Sequence, residues 1–216
     1  MPVQLNIGCG TAPTKGWINY DNSPAIWLAR WPLLSWGLAK LRMIDAGHVE
    51  FGAFCQTHGI RYANAASRIP HAGGTVDVIY SSHMIEHLDR REARSFLAEC
   101  LRALKPGGVL RIAVPDLRVT VNDYVAKGNA DTFLDHLQLD LDKPHGFVGH
   151  VKHLLVGGRN HHWLYDGRSM SKLLTECGFE QVEVLEPGRT RIAEPGELNL
   201  AERLGESVFV EGSRPS

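Results

Sequence analysis

Gly8-Cys9-Gly10, followed by Asp21, is the first arrangement in this chain suited to chemistry. Leu5-Asn6-Ile7 reads as a short buried strand, and glycines at its carboxyl end let the backbone turn sharply and approach a ligand closely. Trp17-Ile18-Asn19-Tyr20 reads as a second strand ending in the carboxylate of Asp21. A glycine turn followed by an acid is a nucleoside-binding layout in a doubly wound sheet, with the ligand outside the carboxyl ends of the strands. His83 and Asp116 follow two further strand candidates, Val76 to Tyr80 and Val109 to Val114. Imidazole titrates near neutrality, so His83 is a candidate general base; Asp116 is equally well placed, either as a base or as a helix cap. His162, beside Trp163 and Tyr165, is a candidate wall for a substrate.

The spacing narrows the nucleoside. A dinucleotide fingerprint needs a third glycine, a helix starting at the turn and an acid about 20 residues on. Only ten residues separate Gly10 from Asp21, and they include Pro13 and Gly16. That leaves no room for the helix whose N-terminus holds a pyrophosphate. An NAD-linked oxidoreductase is therefore the weaker reading. A nucleoside ligand without phosphate, such as S-adenosylmethionine (SAM), needs no such helix.

These groups require elements to hold them. Asp89 with Glu92 three positions later resembles a capping box, and Ala93, Phe96, Leu97, Cys100, Leu101 and Leu104 form one apolar helical face. Lys105-Pro106-Gly107-Gly108 stops that helix before the strand at 109–114. Strand, helix, strand with continuously apolar strands argues for a parallel α/β sheet. Ile60 to Asn64 is a modest strand, 117–128 and 133–141 read as helices, and Met170 to Cys177 as a last helix closed by Gly178. Val182 with Val184 and Val208 with Val210 mark two late strands.

Between Pro24 and Met43, Trp27, Trp31, Leu34, Leu38 and Leu41 follow helical spacing with a break near Pro32. The favoured reading is a lid or core helix, within a helical insertion at 24–56; an interfacial membrane helix is the alternative. From 142 to 166 the chain is rich in Gly and His, including His145, His150, His153, His161 and His162, and reads as an acceptor-side loop.

Hydrophobic content of 44% and charged content of 22% fit one globular domain, expected over 1–212 with a tail at 213–216. A net charge of −1 gives no footprint for nucleic acid, so none is expected as a partner. The four cysteines form no CxxC pair and fit small core residues. No signal peptide is recognised, and the expected location is cytoplasmic.

LNIGCG at 5–10, WINYD at 17–21, IP at 69–70, VDVIYSSHMIEHL at 76–88 and LKPGGVLRIAVPD at 104–116 together resemble class I SAM-dependent methyltransferases. The likeness covers the first half well; in the second, only HHWLYD at 161–166 and LLTECGF at 173–179 are similar. It is nearest to small methyltransferases with a shortened first crossover. The resemblance implies a doubly wound, mostly parallel seven-stranded sheet with the last strand antiparallel, and SAM as cofactor. It implies that Gly8, Cys9 and Gly10 offer backbone to the methionine end of SAM, and that Asp21 accepts from the ribose hydroxyls. Asn64 and Ala65 would lie near the adenine, where the family usually has an acid. Ser81 and Ser82 would lie beneath the methionine moiety, with His83 facing the acceptor. His83, Glu86 and His87 stand at i, i+3 and i+4, a spacing able to ligate a divalent cation. Glu-His at this place also occurs in methyltransferases without one, and no metal is assigned. The expected activity is methyl transfer to oxygen or nitrogen of a small-molecule or sugar-like acceptor; the alternative is a non-catalytic SAM-binding module.

Overall fold

A computed structural model describes residues 1–40, 43, 44, 46–138 and 160–216. Seven strands form a single sheet: β1 (Gln4–Ile7), β2 (Ile18–Asp21), β3 (Arg61–Tyr62), β4 (Val76–Ser82), β5 (Leu104–Pro115), β6 (Glu180–Leu185) and β7 (Ser207–Ser213). Their order is β3-β2-β1-β4-β5-β7-β6. β1 to β5 pair in parallel, and β7 runs antiparallel to both β5 and β6. This is the expected sheet, with the final strand inserted antiparallel. The order reverses between β1 and β4, which opens a crevice beyond their carboxyl ends.

One face of the sheet is covered by α4 (Arg90–Ala103) and, late in the chain, α7 (Gly167–Glu176). Phe96, Leu97 and Cys100 of the first join Met170, Leu173 and Leu174 of the second in a single core with Leu5, Ile7, Ile79, Leu110 and Ile112. Asp89 accepts from the amides of Arg91 and Glu92, and Glu92 returns a bond to the Asp89 amide, so the capping box is present as expected.

Over β4, β5 and β7 the opposite face is sealed by the irregular segment 186–206. Ile192 and Leu198 pack there against Val78, Tyr80, Ala113 and Phe209. An ion pair pins this segment. Arg111 of β5 donates to Glu211 of β7 at 2.8 Å, with both side chains fully buried. The same guanidinium donates to the carbonyls of Arg189 and Leu200, and Glu211 accepts from the Thr190 hydroxyl and the Arg191 amide. Two strand residues thereby organise a stretch that forms no helix.

The tryptophan-bearing stretch forms α1 (Ala25–Leu28) and α2 (Pro32–Lys40), broken near the proline, and is followed by α3 (Ala46–Thr57). The apolar stripe is not core. Trp27, Trp31 and Trp36 are 52%, 66% and 62% exposed. Arg30 lies over the Trp27 ring and Lys40 over Trp36. Among the described residues, no helix is long and apolar enough to cross a membrane.

β5 begins earlier than expected, at Leu104, because Leu104 pairs with Val76 before a register shift that lets Lys105 to Gly108 loop out. α5 (Leu117–Lys127) and α6 (Ala130–Leu137) follow it. At the end of the chain, Ser213 completes β7 and the Arg214 amide donates to the Gly108 carbonyl, so this part of the expected tail is held.

Candidate active site

The crossover from β1 to β2 occupies residues 8–17 and contains no helix. Gly8 and Gly10 both adopt left-handed backbone, with φ of 72° and 50°. At Gly8 a side chain is also sterically excluded, since a Cβ there would lie 2.5 Å from Cγ of Met84. The amides of Gly8 and Cys9 both donate to the Tyr20 carbonyl, at 2.8 and 3.1 Å. The Gly10 amide donates to Oδ2 of Asp21 at 3.0 Å, and the Ser23 amide to Oδ1 at 2.8 Å. Asp21 is thus clamped between the two loops that flank the crevice.

This has a chemical consequence. With all three loop amides already paired, what the turn has left to offer is carbonyl oxygen. Carbonyls receive a donor such as an ammonium and do not receive a phosphate. A carboxylate has about four lone-pair positions, so Asp21 keeps acceptor capacity for a diol after its two backbone bonds. Cys9 contributes backbone alone. Its side chain is buried with Ile26, Cys55 and Ile60, where burial, aided by the Asp21 charge, pushes its thiol far above the ordinary range. Burial likewise raises Cys55, to about 11.

Beyond β3, the Asn64 side chain is exposed and its carbonyl accepts from the amides of Ser67 and Arg68, while Ala65 is buried in the core. At the carboxyl end of β4, Ser81 is buried and its hydroxyl has no hydrogen-bond partner.

The candidate bases are more constrained than their positions in the sequence suggest. His83 has a φ of 48°, and its Nε2 lies 2.8 Å from the Ser207 hydroxyl. Its Nδ1 lies 3.3 Å from the Arg203 guanidinium and 3.5 Å from Oε1 of Glu86. The Arg203 guanidinium favours a lone pair on Nδ1 with Nε2–H donating to Ser207, whereas the Glu86 carboxylate favours a proton on Nδ1. His83 is therefore anchored to the loop before β7. Asp116 caps α5, accepting from the Arg118 amide at 3.0 Å, and its own amide donates to the Glu206 carbonyl. One of its two sequence roles is thus occupied.

His162 is exposed, and its amide and that of Trp163 both donate to the Glu86 carbonyl. Arg90 lies over the Trp163 ring, while Tyr165 is buried in the core, so the expected wall reduces to His162 and Trp163. These bonds bring the segment at 160–166 against Ile85–His87, a 3-10 turn directly after β4. Residues 142–159, with His145, His150 and His153, lie outside the described residues.

Ser207, Arg203 and Ser23 touch the site residues without a motif to announce them. Ser23 follows Asp21 closely enough for an Asx-type turn to be read from sequence, but Ser207 and Arg203 are more than a hundred positions from His83.

A family model described as a methyltransferase domain matches residues 43–112. A curated "Probable S-adenosylmethionine-dependent methyltransferase" from Mycolicibacterium smegmatis is 39% identical over 61 residues, which is 28% of this chain and 22% of that protein. The chain thus matches about a fifth of the length of this relative. Among solved structures, a SAM-dependent methyltransferase from Thermotoga maritima, described as a possible histamine N-methyltransferase, superposes with a TM-score of 0.53 at 17% identity, covering 99% of this chain and 82% of that one. A SAM-dependent methyltransferase from Methanosarcina mazei gives 0.51 at 16% identity, covering 98% and 92%. At these identities the two structures speak to the fold alone.

Proposed function

We propose that this chain is a class I SAM-dependent methyltransferase, a reading its fold and its partial domain match support, and that it transfers the methyl group of SAM to oxygen or nitrogen of a small-molecule or sugar-like acceptor. One observation carries the cofactor half: a helix-free turn with its amides internally paired, beside a carboxylate clamped at the switch point of the sheet. That arrangement suits an ammonium and a ribose diol and is poor for a pyrophosphate.

Methyl transfer from a sulfonium is an in-line displacement on an electrophile activated by its own charge. The protein's contribution is alignment and removal of water. Gly8 to Gly10 would hold the methionine end, Asp21 the ribose, and Asn64 and Ala65 the adenine edge. Ser81 would stand under the methionine moiety. His83, fixed by Ser207, lines the start of the acceptor side together with His162 and Trp163.

The test is calorimetric titration with S-adenosylhomocysteine, followed by transfer of labelled methyl to a panel of hydroxylated and amino compounds. Tight binding with turnover on one class supports the reading. Failure of the wild-type chain to bind S-adenosylhomocysteine overturns it, and binding without any transfer favours a SAM-binding module.

A further inference from the structure

Glu86 is 1% exposed, and neither of its carboxylate oxygens has a hydrogen-bond partner. A buried carboxylate in that condition is costly unless a cation or donors complete it. Among the described residues no donor forms a hydrogen bond to it: Nδ1 of His83 stands 3.5 Å away and also lies 3.3 Å from the Arg203 guanidinium.

Two more imidazoles converge on the same point. One ligand atom each from Glu86, His87 and His161 lie within 4.8 Å of one another. Nδ1 of His87 lies 3.2 Å from the Asn160 carbonyl, which accepts only, so this nitrogen carries the proton and Nε2 keeps its lone pair. His161 is 8% exposed, its Nδ1 has no partner, and its imidazole interacts with the Leu137 carbonyl. His87 therefore keeps an unprotonated nitrogen for the cluster, and Nδ1 of His161 has no partner competing for it. Histidine ligands of metals are held in this way. A water could satisfy one carboxylate oxygen, yet it would not require two buried imidazoles beside it.

We propose that Glu86, His87 and His161 form a site for a first-row divalent transition metal, zinc or a close relative, and that this metal takes the acceptor through a hydroxyl oxygen. Two histidines and one carboxylate suit such a cation and leave positions open for an exogenous oxygen. The site follows directly on the carboxyl end of β4, on the acceptor side assigned above. The metal lowers the pKa of the bound hydroxyl, whose proton passes to solvent. The oxygen then forms the new O–CH3 bond, the S–CH3 bond breaks, and its electron pair returns to sulfur as S-adenosylhomocysteine. The inference deepens the methyltransferase reading by choosing oxygen over nitrogen.

The test reads the metal by itself. The full chain, freed of metal by chelation, is titrated with zinc chloride by calorimetry and with cobalt chloride by visible absorption. Glu86→Gln, His161→Ala and, as a remote control, His58→Ala are treated alike. Wild type and His58→Ala should each bind one zinc per chain, raise their melting temperature on binding and show a cobalt d–d band. Glu86→Gln and His161→Ala should weaken zinc by at least about tenfold, the low end of what even supporting groups contribute. In chelator, Glu86→Gln should melt no lower than wild type, because it removes a buried charge; this separates metal loss from misfolding. Absence of zinc binding to wild type, or equal binding by all four proteins, overturns the site. S-adenosylhomocysteine is titrated in chelator in parallel. If it binds while zinc does not, the metal inference alone falls; if zinc binds and it does not, the methyltransferase reading falls and the metal site stands.

Discussion

Asp21→Asn is the most informative single change, because the carboxylate holds two loops and, on the proposed function, a ligand as well. In the free protein Oδ2 accepts from the Gly10 amide at 3.0 Å and Oδ1 from the Ser23 amide at 2.8 Å. Asparagine keeps one oxygen, so one of these amides must face an NH2 group and lose its bond. The side chain also loses its charge, and with it the charge-assisted bonds to the ribose hydroxyls. Hydrogen bonds to a charged group contribute about 1.5–3 kcal/mol. Losing one such contribution weakens S-adenosylhomocysteine roughly 10- to 150-fold, at about 1.4 kcal/mol per tenfold. Calorimetry measures this, and a thermal melt without ligand measures the separate effect of the unpaired amide. A folded variant that binds S-adenosylhomocysteine as tightly as wild type would refute the ribose role. A variant that only melts earlier would reduce Asp21 to a loop clamp.

Gly8→Ala should destabilise the chain, since φ of 72° costs a non-glycine residue about 1–2 kcal/mol and the new methyl meets Met84. Met84→Ala in the same background should recover part of the loss by removing Cγ, and a denaturant-based double-mutant cycle reads the coupling. Arg111→Ala strands the buried Glu211 carboxylate and frees the 186–206 segment, so urea unfolding should show a loss of about 3–5 kcal/mol. His161 and His71 have lowered pKa values, chiefly through burial; the Glu86 carboxylate partly opposes the shift at His161, while the Arg61 and Arg102 charges add to it at His71. Because the unfolded chain takes up protons near the ordinary histidine value of about 6.5 while the folded one resists, stability should be full above that pH and fall as pH drops toward 5. Melts of His161→Gln and His71→Gln should each show a shallower fall, and an unchanged slope in both would contradict the assignment.

Local signals were readable and long-range ones were not. The capping box at Asp89, the glycine turn after β1 and the missing crossover helix each depend on residues a few positions apart. The same holds for the apolar face of α4 and the strand ends that place Asp21 and His83. Periodicity along the tryptophan stripe reports that a helix has an apolar face, not what covers it; here Trp31 and Trp36 are exposed, which removes the core half of the reading. The buried Arg111–Glu211 pair was hidden for another reason. An arginine in an apolar strand gives no hint that a glutamate a hundred residues later is its register partner. His161 stood among five histidines without distinction. Among the described residues, contact with Glu86 and His87, 75 and 74 residues earlier, distinguishes it from His162.

The two halves of the crevice are built on different principles, and this bears on how the protein would diversify. The cofactor half is mostly backbone: glycine conformations, a paired carbonyl and one carboxylate held by two amides. Such a site tolerates little change in sequence, since Gly8 has no room for a Cβ and Asp21 has no slack in its bonds. The half proposed for the acceptor is mostly side chains carried in from after β4, from 160–163 and from the loop before β7. Those segments meet through a few bonds to the Glu86 carbonyl and through His83 to Ser207, so side chains there can change without disturbing the sheet. On the proposed function, specificity for an acceptor would belong to the contact between Ile85–His87 and the segment at 160–163, which is also where the unpartnered carboxylate and the two histidines of the cluster lie. A change of acceptor chemistry, from oxygen toward nitrogen, would be expected to appear first as the loss of one member of that cluster, with Gly8, Gly10 and Asp21 left intact.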